Sequence, residues 1–212
     1  MRTFVKVCGV RRAEDAALAC ALGADALGFV FWPASPRFVD PERARAIVSE
    51  LPPFVAAVGV FVDQSPDYVS SVATLVGLTA VQLHGDEDTE AYLNTWNRVI
   101  RAVPVTAGFD PVHACRALPF AATMLLDAHD PIRRGGTGRT IDWHSAAAAA
   151  RLRPIILSGG LTPRNVAEAL QRVGPYAVDV SSGVESAPGV KDPEKLRAFF
   201  TALASTEDTV EL

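Results

Sequence analysis

Short apolar runs recur along the chain, and each gives way to a longer stretch whose apolar positions are spaced as on one face of a helix. Eight such runs read as strands: Phe4–Cys8, Ala26–Phe31, Val55–Val62, Ala80–Leu83, Arg98–Val103, Thr123–Asp127, Pro154–Leu157 and Ala177–Val180. Most are apolar on both faces, as strands of a covered parallel sheet must be. Helix starts are marked by Asp40-Pro41, Ser65-Pro66, Asp110-Pro111, Thr162-Pro163 and Asp192-Pro193. In each, a side-chain oxygen can accept a free backbone N–H, and proline occupies the first helical position, where its missing donor has no partner to lose. Asp142 is expected to cap "WHSAAAAA" in the same way. Helix ends recur too, as a glycine in "ALGADALGFV", "LVGLTAVQL" and "RVGPYAVDV", a residue suited to the left-handed backbone of a helix stop.

Eight β–α units in 212 residues predict a single (β/α)8 barrel over residues 1–204, with "STEDTVEL" (205–212) as a solvated tail. A doubly wound open sheet is the alternative architecture. Closure is favoured because it leaves no sheet edge to cover.

Composition narrows the setting. Hydrophobic residues are 49% and charged residues 21% of the chain, the balance of a soluble globular domain. The net charge is -4 with both signs interspersed, so no basic block points to a nucleic-acid or membrane partner. The apolar stretch "FVAAVGVFV" is far shorter than the roughly 20 residues of a membrane span. The N-terminus lacks the pattern of a signal peptide. Cys8, Cys20 and Cys115 are an odd set without metal-ligand spacing, which suits a reducing, cytoplasmic setting.

In a (β/α)8 barrel the active site lies at the C-terminal ends of the strands. The polar residues expected there are Cys8-Gly9, the loop Trp32–Arg37, Asp63, His84-Gly85, Asp127, Ser158-Gly159-Gly160 and Ser181-Ser182-Gly183. A cysteine ending a strand is either a small packed hydrophobe or a group facing a site. An aspartate there is either a cap, an ion-pair partner or a proton donor. The loops after strands 7 and 8, "ILSGGLTPRN" and "VDVSSGVESAPGVKDPEK", are the usual phosphate grip of this fold. Glycines allow close approach, and consecutive N–H groups can bind an anion.

The motifs "KVCGV", "ADALGFVFWPASPRFV", "VGVFVD", "VQLHGDE", "LLDA", "GGTGRTIDW", "ILSGGLTPRNV" and "VDVSSGVESAPGVKD" together resemble the phosphoribosylanthranilate isomerase family, from Lys6 to about Phe199. The resemblance implies a (β/α)8 fold without cofactor or metal, acting in tryptophan biosynthesis. The implied reaction is an Amadori rearrangement of N-(5-phosphoribosyl)anthranilate to the aminoketose. It implies Cys8 as general base, Asp127 as general acid and Arg37 as the grip on the anthranilate carboxylate. Phosphate is expected on Gly159, Gly160, Ser181, Ser182 and Gly183, mainly through the N–H groups of Gly160 and Ser182. The implied partner is a small phosphorylated substrate, and the implied assembly a monomer or homodimer. Trp32, Phe31 and Phe38 are candidates to surround an aromatic ring or to anchor the loop. Asp63 and His84 are expected as supporting residues without a chemical role.

Two departures from the family pattern stand out. Arg11 follows "VCGV" where a serine or threonine cap is common, and the loop after strand 6 is longer and more basic, with Arg133 and Arg134 expected to be solvated. The alternatives are another sugar-phosphate isomerase or epimerase on the same barrel, and a barrel that only binds a phosphorylated ligand. Cys8, where the related histidine-pathway enzymes carry aspartate, argues against the former, and the pairing of Cys8 with Asp127 against the latter.

Overall fold

Eight strands alternate with helices, and the long helix α8 (Pro193–Glu207) follows the eighth strand. A computed structural model describes residues 2–96, 98–128 and 140–207. The first half runs β1 (Phe4–Cys8), α1 (Ala13–Ala21), β2 (Ala26–Val30), α2 (Pro41–Val48), β3 (Ala56–Phe61), α3 (Pro66–Val76), β4 (Ala80–Leu83) and α4 (Thr89–Leu93). The second half runs β5 (Val99–Val105), α5 (Pro111–Ala117), β6 (Thr123–Ala128), α6 (Trp143–Ala150), β7 (Ile155–Leu157), α7 (Val166–Val173) and β8 (Ala177–Val180). A 3-10 turn at Ser182–Val184, a small hairpin of β9 (Glu185–Ala187) and β10 (Val190–Lys191), and α8 (Pro193–Glu207) complete it.

The eight long-range strands form a closed parallel barrel in sequence order, sealed where β1 pairs with β8. The open-sheet alternative is thereby excluded. Period-two alternation gives each strand two jobs. One set of side chains fills the barrel, including Val58, Ile100, Leu125 and Ile156. The other set, such as Leu27, Phe29, Val81 and Leu126, packs outward against the helices, against Ala16, Val69, Val173 and Phe199 among others.

The caps at Asp40, Ser65, Asp110 and Asp142 all accept backbone N–H groups as expected. Asp192 does the same, accepting from Glu194 and Lys195. Thr162 Oγ1 accepts from Arg164 N as expected, but a turn follows it and α7 itself begins at Val166. The Asn165 side chain accepts from Thr162 N at 2.7 Å and donates to Gly160 O at 3.0 Å. That clasp folds the loop back on itself and delays α7 to Val166. Arg12 precedes α1 without capping it and instead grips Asp15. Pairing of β5 with β6 carries through Pro104 to Val105, beyond the expected end at Val103. α8 continues through Ser205 to Glu207, past the expected boundary at 204. Among the described residues no helix is long and apolar enough to cross a membrane.

Arg153, just before β7, is buried and, among the described residues, has no carboxylate partner. Its guanidinium instead donates to the carbonyls of Cys115, Leu118, Pro119, Phe120 and Ala122, where α5 ends and the chain turns into β6. Charged donors make stronger hydrogen bonds than neutral ones, and buried carbonyls left alone are costly. Arg153→Ala is expected to lower stability by about 3 kcal/mol, read as a lower urea midpoint, with KM unchanged. An unaltered midpoint would show that this cage of carbonyls does not hold α5 to β6.

Candidate active site

Side chains at the C-terminal ends of the strands enclose one pocket, lined by Cys8, Val30, Trp32, Ser35, Arg37, Val60, Val62, Gln82, His84, Asp127, Ser158, Asp179 and Ser181. Cys8, Arg37 and Asp127, expected from the sequence, therefore meet in one cavity. Ser158 and Ser181 bring the two glycine loops to its wall. The loops also touch each other: a Cβ on Gly183 would lie 1.8 Å from Leu161 O. Only a residue without a side chain permits that approach. Among the described residues, the N–H groups of Gly160 and Ser182 donate to no protein acceptor. Arg133 and Arg134 lie outside the described residues.

Cys8 ends β1 in an apolar wall formed with Val30, Val60 and Trp32. Across the register it faces Gly28, where a Cβ would stand 2.7 Å from the sulfur. Glycine at that position makes the space the thiol occupies. Burial pushes the Cys8 pKa up, and the charge of Asp179 adds to this. The ammonium groups of Lys6 and Lys191 pull the other way without cancelling it.

Both lysines are buried. Lys6, two residues before Cys8 and on the same face of β1, bonds Asp179 of β8 at 2.9 Å. Burial opposes its charge, but Asp179 and then Cys8 outweigh burial, and its pKa is raised. Asp179 also accepts from the Ser158 hydroxyl at 3.3 Å. Lys191, on β10, donates to Cys8 O at 2.6 Å, to Ser181 O at 3.3 Å and to Glu185 Oε1 at 2.9 Å.

Glu185 carries this chain of contacts on to Arg37. Arg37 Nε donates to Oε1 at 3.0 Å and Nη2 to Oε2 at 2.7 Å. A guanidinium has two bidentate edges. Glu185 occupies the Nε–Nη2 edge, and among the described residues nothing accepts from Nη1. The pair thus fixes the plane of the guanidinium and leaves its outer edge toward the pocket. Burial pushes Glu185 up, but the bond from Arg37 and the charge of Lys191 prevail, and its pKa is lowered.

On the opposite wall, Asp127 is 5% exposed near the end of β6. Its Oδ1 accepts from Ala128 N at 2.8 Å, and its Oδ2 lies 3.2 Å from His84 Nε2. Phe31 stacks on Phe61 at 5.3 Å and is fully buried, so it anchors the loop, whereas Trp32 lines the pocket. Asp63 stays out of the pocket, held at φ 55° with its N–H on Glu87. Lys6, Gln82, Asp179, Glu185 and Lys191 were not among the expected site residues. For three of them a signal existed: a polar residue two positions before a strand-end polar residue, as in Lys6/Cys8, Gln82/His84 and Asp179/Ser181, shares its inward face.

A closed barrel whose polar pocket sits at the C-terminal strand ends defines an enzyme of the (β/α)8 class. The particular family is clear: residues 5–202 match the model of N-(5'phosphoribosyl)anthranilate (PRA) isomerase, and the chain belongs to that family. It is 51% identical over 200 residues to N-(5'-phosphoribosyl)anthranilate isomerase of Geotalea uraniireducens, covering 93% of this chain and 97% of the relative. The phosphoribosyl anthranilate isomerase from Thermotoga maritima superposes with a TM-score of 0.87 at 42% identity, over 96% of this chain and 99% of that one. A phosphoribosyl anthranilate isomerase in complex with reduced 1-(o-carboxyphenylamino)-1-deoxyribulose 5-phosphate gives a TM-score of 0.84 at 41% identity, over 96% and 99% of the two chains. The resemblance read from the sequence, to an isomerase of tryptophan biosynthesis, is borne out.

Glu185→Gln keeps the shape of the side chain and removes its charge. Because the folded-state pKa is lowered, the carboxylate's contribution to stability is complete above the ordinary glutamate value of about 4.3 and fades as pH falls below it. The variant should be less stable than wild type at neutral pH. It should then lose less stability than wild type between about pH 5 and about pH 3. Urea midpoints across that range check this, and parallel pH dependence in both proteins would exclude Glu185 as the responsible group.

Proposed function

We propose that this pocket performs the Amadori rearrangement of N-(5'-phosphoribosyl)anthranilate with Cys8 as general base and Asp127 as general acid. The observation that carries the reading is the meeting of Cys8, Asp127 and Arg37 in one cavity bounded by the two glycine loops. Asp127 gives a proton to the furanose oxygen; the C1–O bond breaks with its electron pair going to oxygen, and the nitrogen lone pair forms a cationic imine. Cys8 then removes the proton from sugar C2. The enolamine that results gains a proton at C1 and loses the 2-hydroxyl proton to become the ketone. A buried thiol with a raised pKa is mostly protonated, but a cationic imine beside it favours the thiolate. The free edge of Arg37 suits a planar carboxylate. The three free cysteines fit a cytoplasmic setting.

Phosphate is assigned to the loops Ser158–Leu161 and Ser181–Gly183. The group does not react, so its binding energy can hold the sugar in register between Cys8 and Asp127. Backbone donors provide that hold without a flexible side chain.

Cys8→Ser should lose about 10²–10⁴-fold in kcat with little change in affinity for a substrate analogue, because a hydroxyl is a far weaker base. Asp127→Asn should be similarly inactive. A fluorescence assay on freshly made substrate reads both, and near-normal turnover in either variant would refute its role. Gly160→Pro, which deletes one N–H donor, should weaken binding of substrate and of inorganic phosphate alike, whereas Ser182→Ala, which keeps its N–H, should do less. Titration calorimetry with phosphate distinguishes these, and unaltered affinity in Gly160→Pro would move the phosphate elsewhere.

A further inference from the structure

His84 stands just beyond β4 and Gln82 near its end, two positions apart on the inward face. Gln82 is 1% exposed, and its Nε2 lies 3.1 Å from His84 Nδ1. An amide N–H donating there makes Nδ1 an acceptor and puts the imidazole proton on Nε2, 3.2 Å from Asp127 Oδ2. Gln82, His84 and Asp127 thus stand in one line from the barrel interior to the pocket, with successive polar separations of 3.1 and 3.2 Å. The line carries an oddity. Gln82 Oε1 is buried and, among the described residues, has no partner. An orphan buried oxygen costs free energy, and in a functional site it calls for a reason.

We propose that Gln82 and His84 are positioning residues that hold and reload the proton of Asp127; this deepens, and rests on, the assignment of Asp127 as the acid. The carboxamide serves both proton loads of the pair. When Nδ1 is bare, Gln82 Nε2–H donates to it. When the pair gains one proton and Nδ1 carries it, the amide turns over and Oε1 accepts, which gives the orphan oxygen its partner. A proton moving along the Nε2···Oδ2 line then converts the carboxylate to the acid that opens the ring. The pair gives one proton to the ring oxygen and regains one when the 2-hydroxyl loses its own, so the cycle closes without a net proton. His84, at 14% side-chain exposure, keeps the pair in touch with the pocket.

The surroundings leave His84 as the partner of Asp127. Lys6 and Asp179 neutralise each other inside the barrel, and Arg37 is taken up by Glu185. Cys8 faces the pocket from β1. Beside His84, Glu87 of the following loop pairs with Arg101 of β5 at 2.7 Å, and Asp63 after β3 accepts from Asp86 N.

The test compares pH profiles of kcat/KM for wild type, His84→Gln, Gln82→Leu and Asp127→Asn. His84→Gln keeps an N–H donor near the Nε2 position but cannot titrate. It is expected to leave KM unchanged, to lower kcat about 10–100-fold, and to move the basic limb of the profile to lower pH by about one unit or more, since a lone carboxyl then holds the proton. Gln82→Leu should shift the limb in the same direction by less. An unmoved basic limb in His84→Gln, with Asp127→Asn inactive, overturns the relay and leaves the acid assignment standing. An active Asp127→Asn overturns the assignment itself. Should a Gln82 variant fail to fold, ring-nitrogen NMR of the wild-type protein decides. Above neutral pH, the Nε2–H tautomer of His84 is expected, and the Nδ1–H tautomer there overturns the proposal.

Discussion

A fully buried ammonium, that of Lys191, ties the first strand of the barrel to the last. Its donors are shared among the carbonyl that ends β1, the carbonyl that follows β8 and the carboxylate of Glu185. Removing such a charge from water costs several kcal/mol by general experience, and burial indeed pushes the Lys191 pKa down. The site repays that cost only because every acceptor is in place. The β9–β10 hairpin exists to bring it there, and Glu185, gripped at the same point, passes the constraint to Arg37 and the loop after β2. Seam, hairpin and guanidinium are one rigid unit.

Cys8 and Asp127 occupy opposite walls and are held differently. Around the thiol the means are apolar contact and neighbouring charge: Val30, Val60 and Trp32 pack beside it, Gly28 clears space, and the Lys6 and Lys191 ammonium groups oppose the effect of burial. Around Asp127 the means are a hydrogen bond from Ala128 N and the His84 ring, its Nε2 3.2 Å from Oδ2. The contrast suits the roles proposed for them: a thiol kept uncharged until a cation forms beside it fits an apolar wall, and a carboxyl proposed to take up a proton in each cycle fits a place beside an imidazole. Both walls are built on strands, whose closed hydrogen-bonded lattice holds a side chain more rigidly than a loop would.

The pair of glycine loops is held by contacts of its own. Their contact at Gly183 and Leu161 makes one surface of two segments distant in sequence. The Asn165 clasp, which postpones α7, keeps the first of them in shape. The Thr162-Pro163 signal opens a turn that leads into α7 rather than the helix itself.

The order of strands and helices and most helix caps were legible in the chain, because apolar periodicity and capping chemistry act over a few residues and need no partner from afar. Cys8, Arg37, Asp127 and the glycine loops were legible as strand-end residues, and the family motifs gave them implied roles. Closure, favoured from the eight β–α units, is borne out, whereas the use of the Glu185–Lys191 hairpin to hold β1 to β8 was decided by tertiary structure. So was the partnership of Arg37 with Glu185, 148 positions apart in sequence, and that of Lys6 with Asp179, 173 apart. A buried charge is stable only where folding delivers its counterpart, and no local pattern encodes which distant residue that will be.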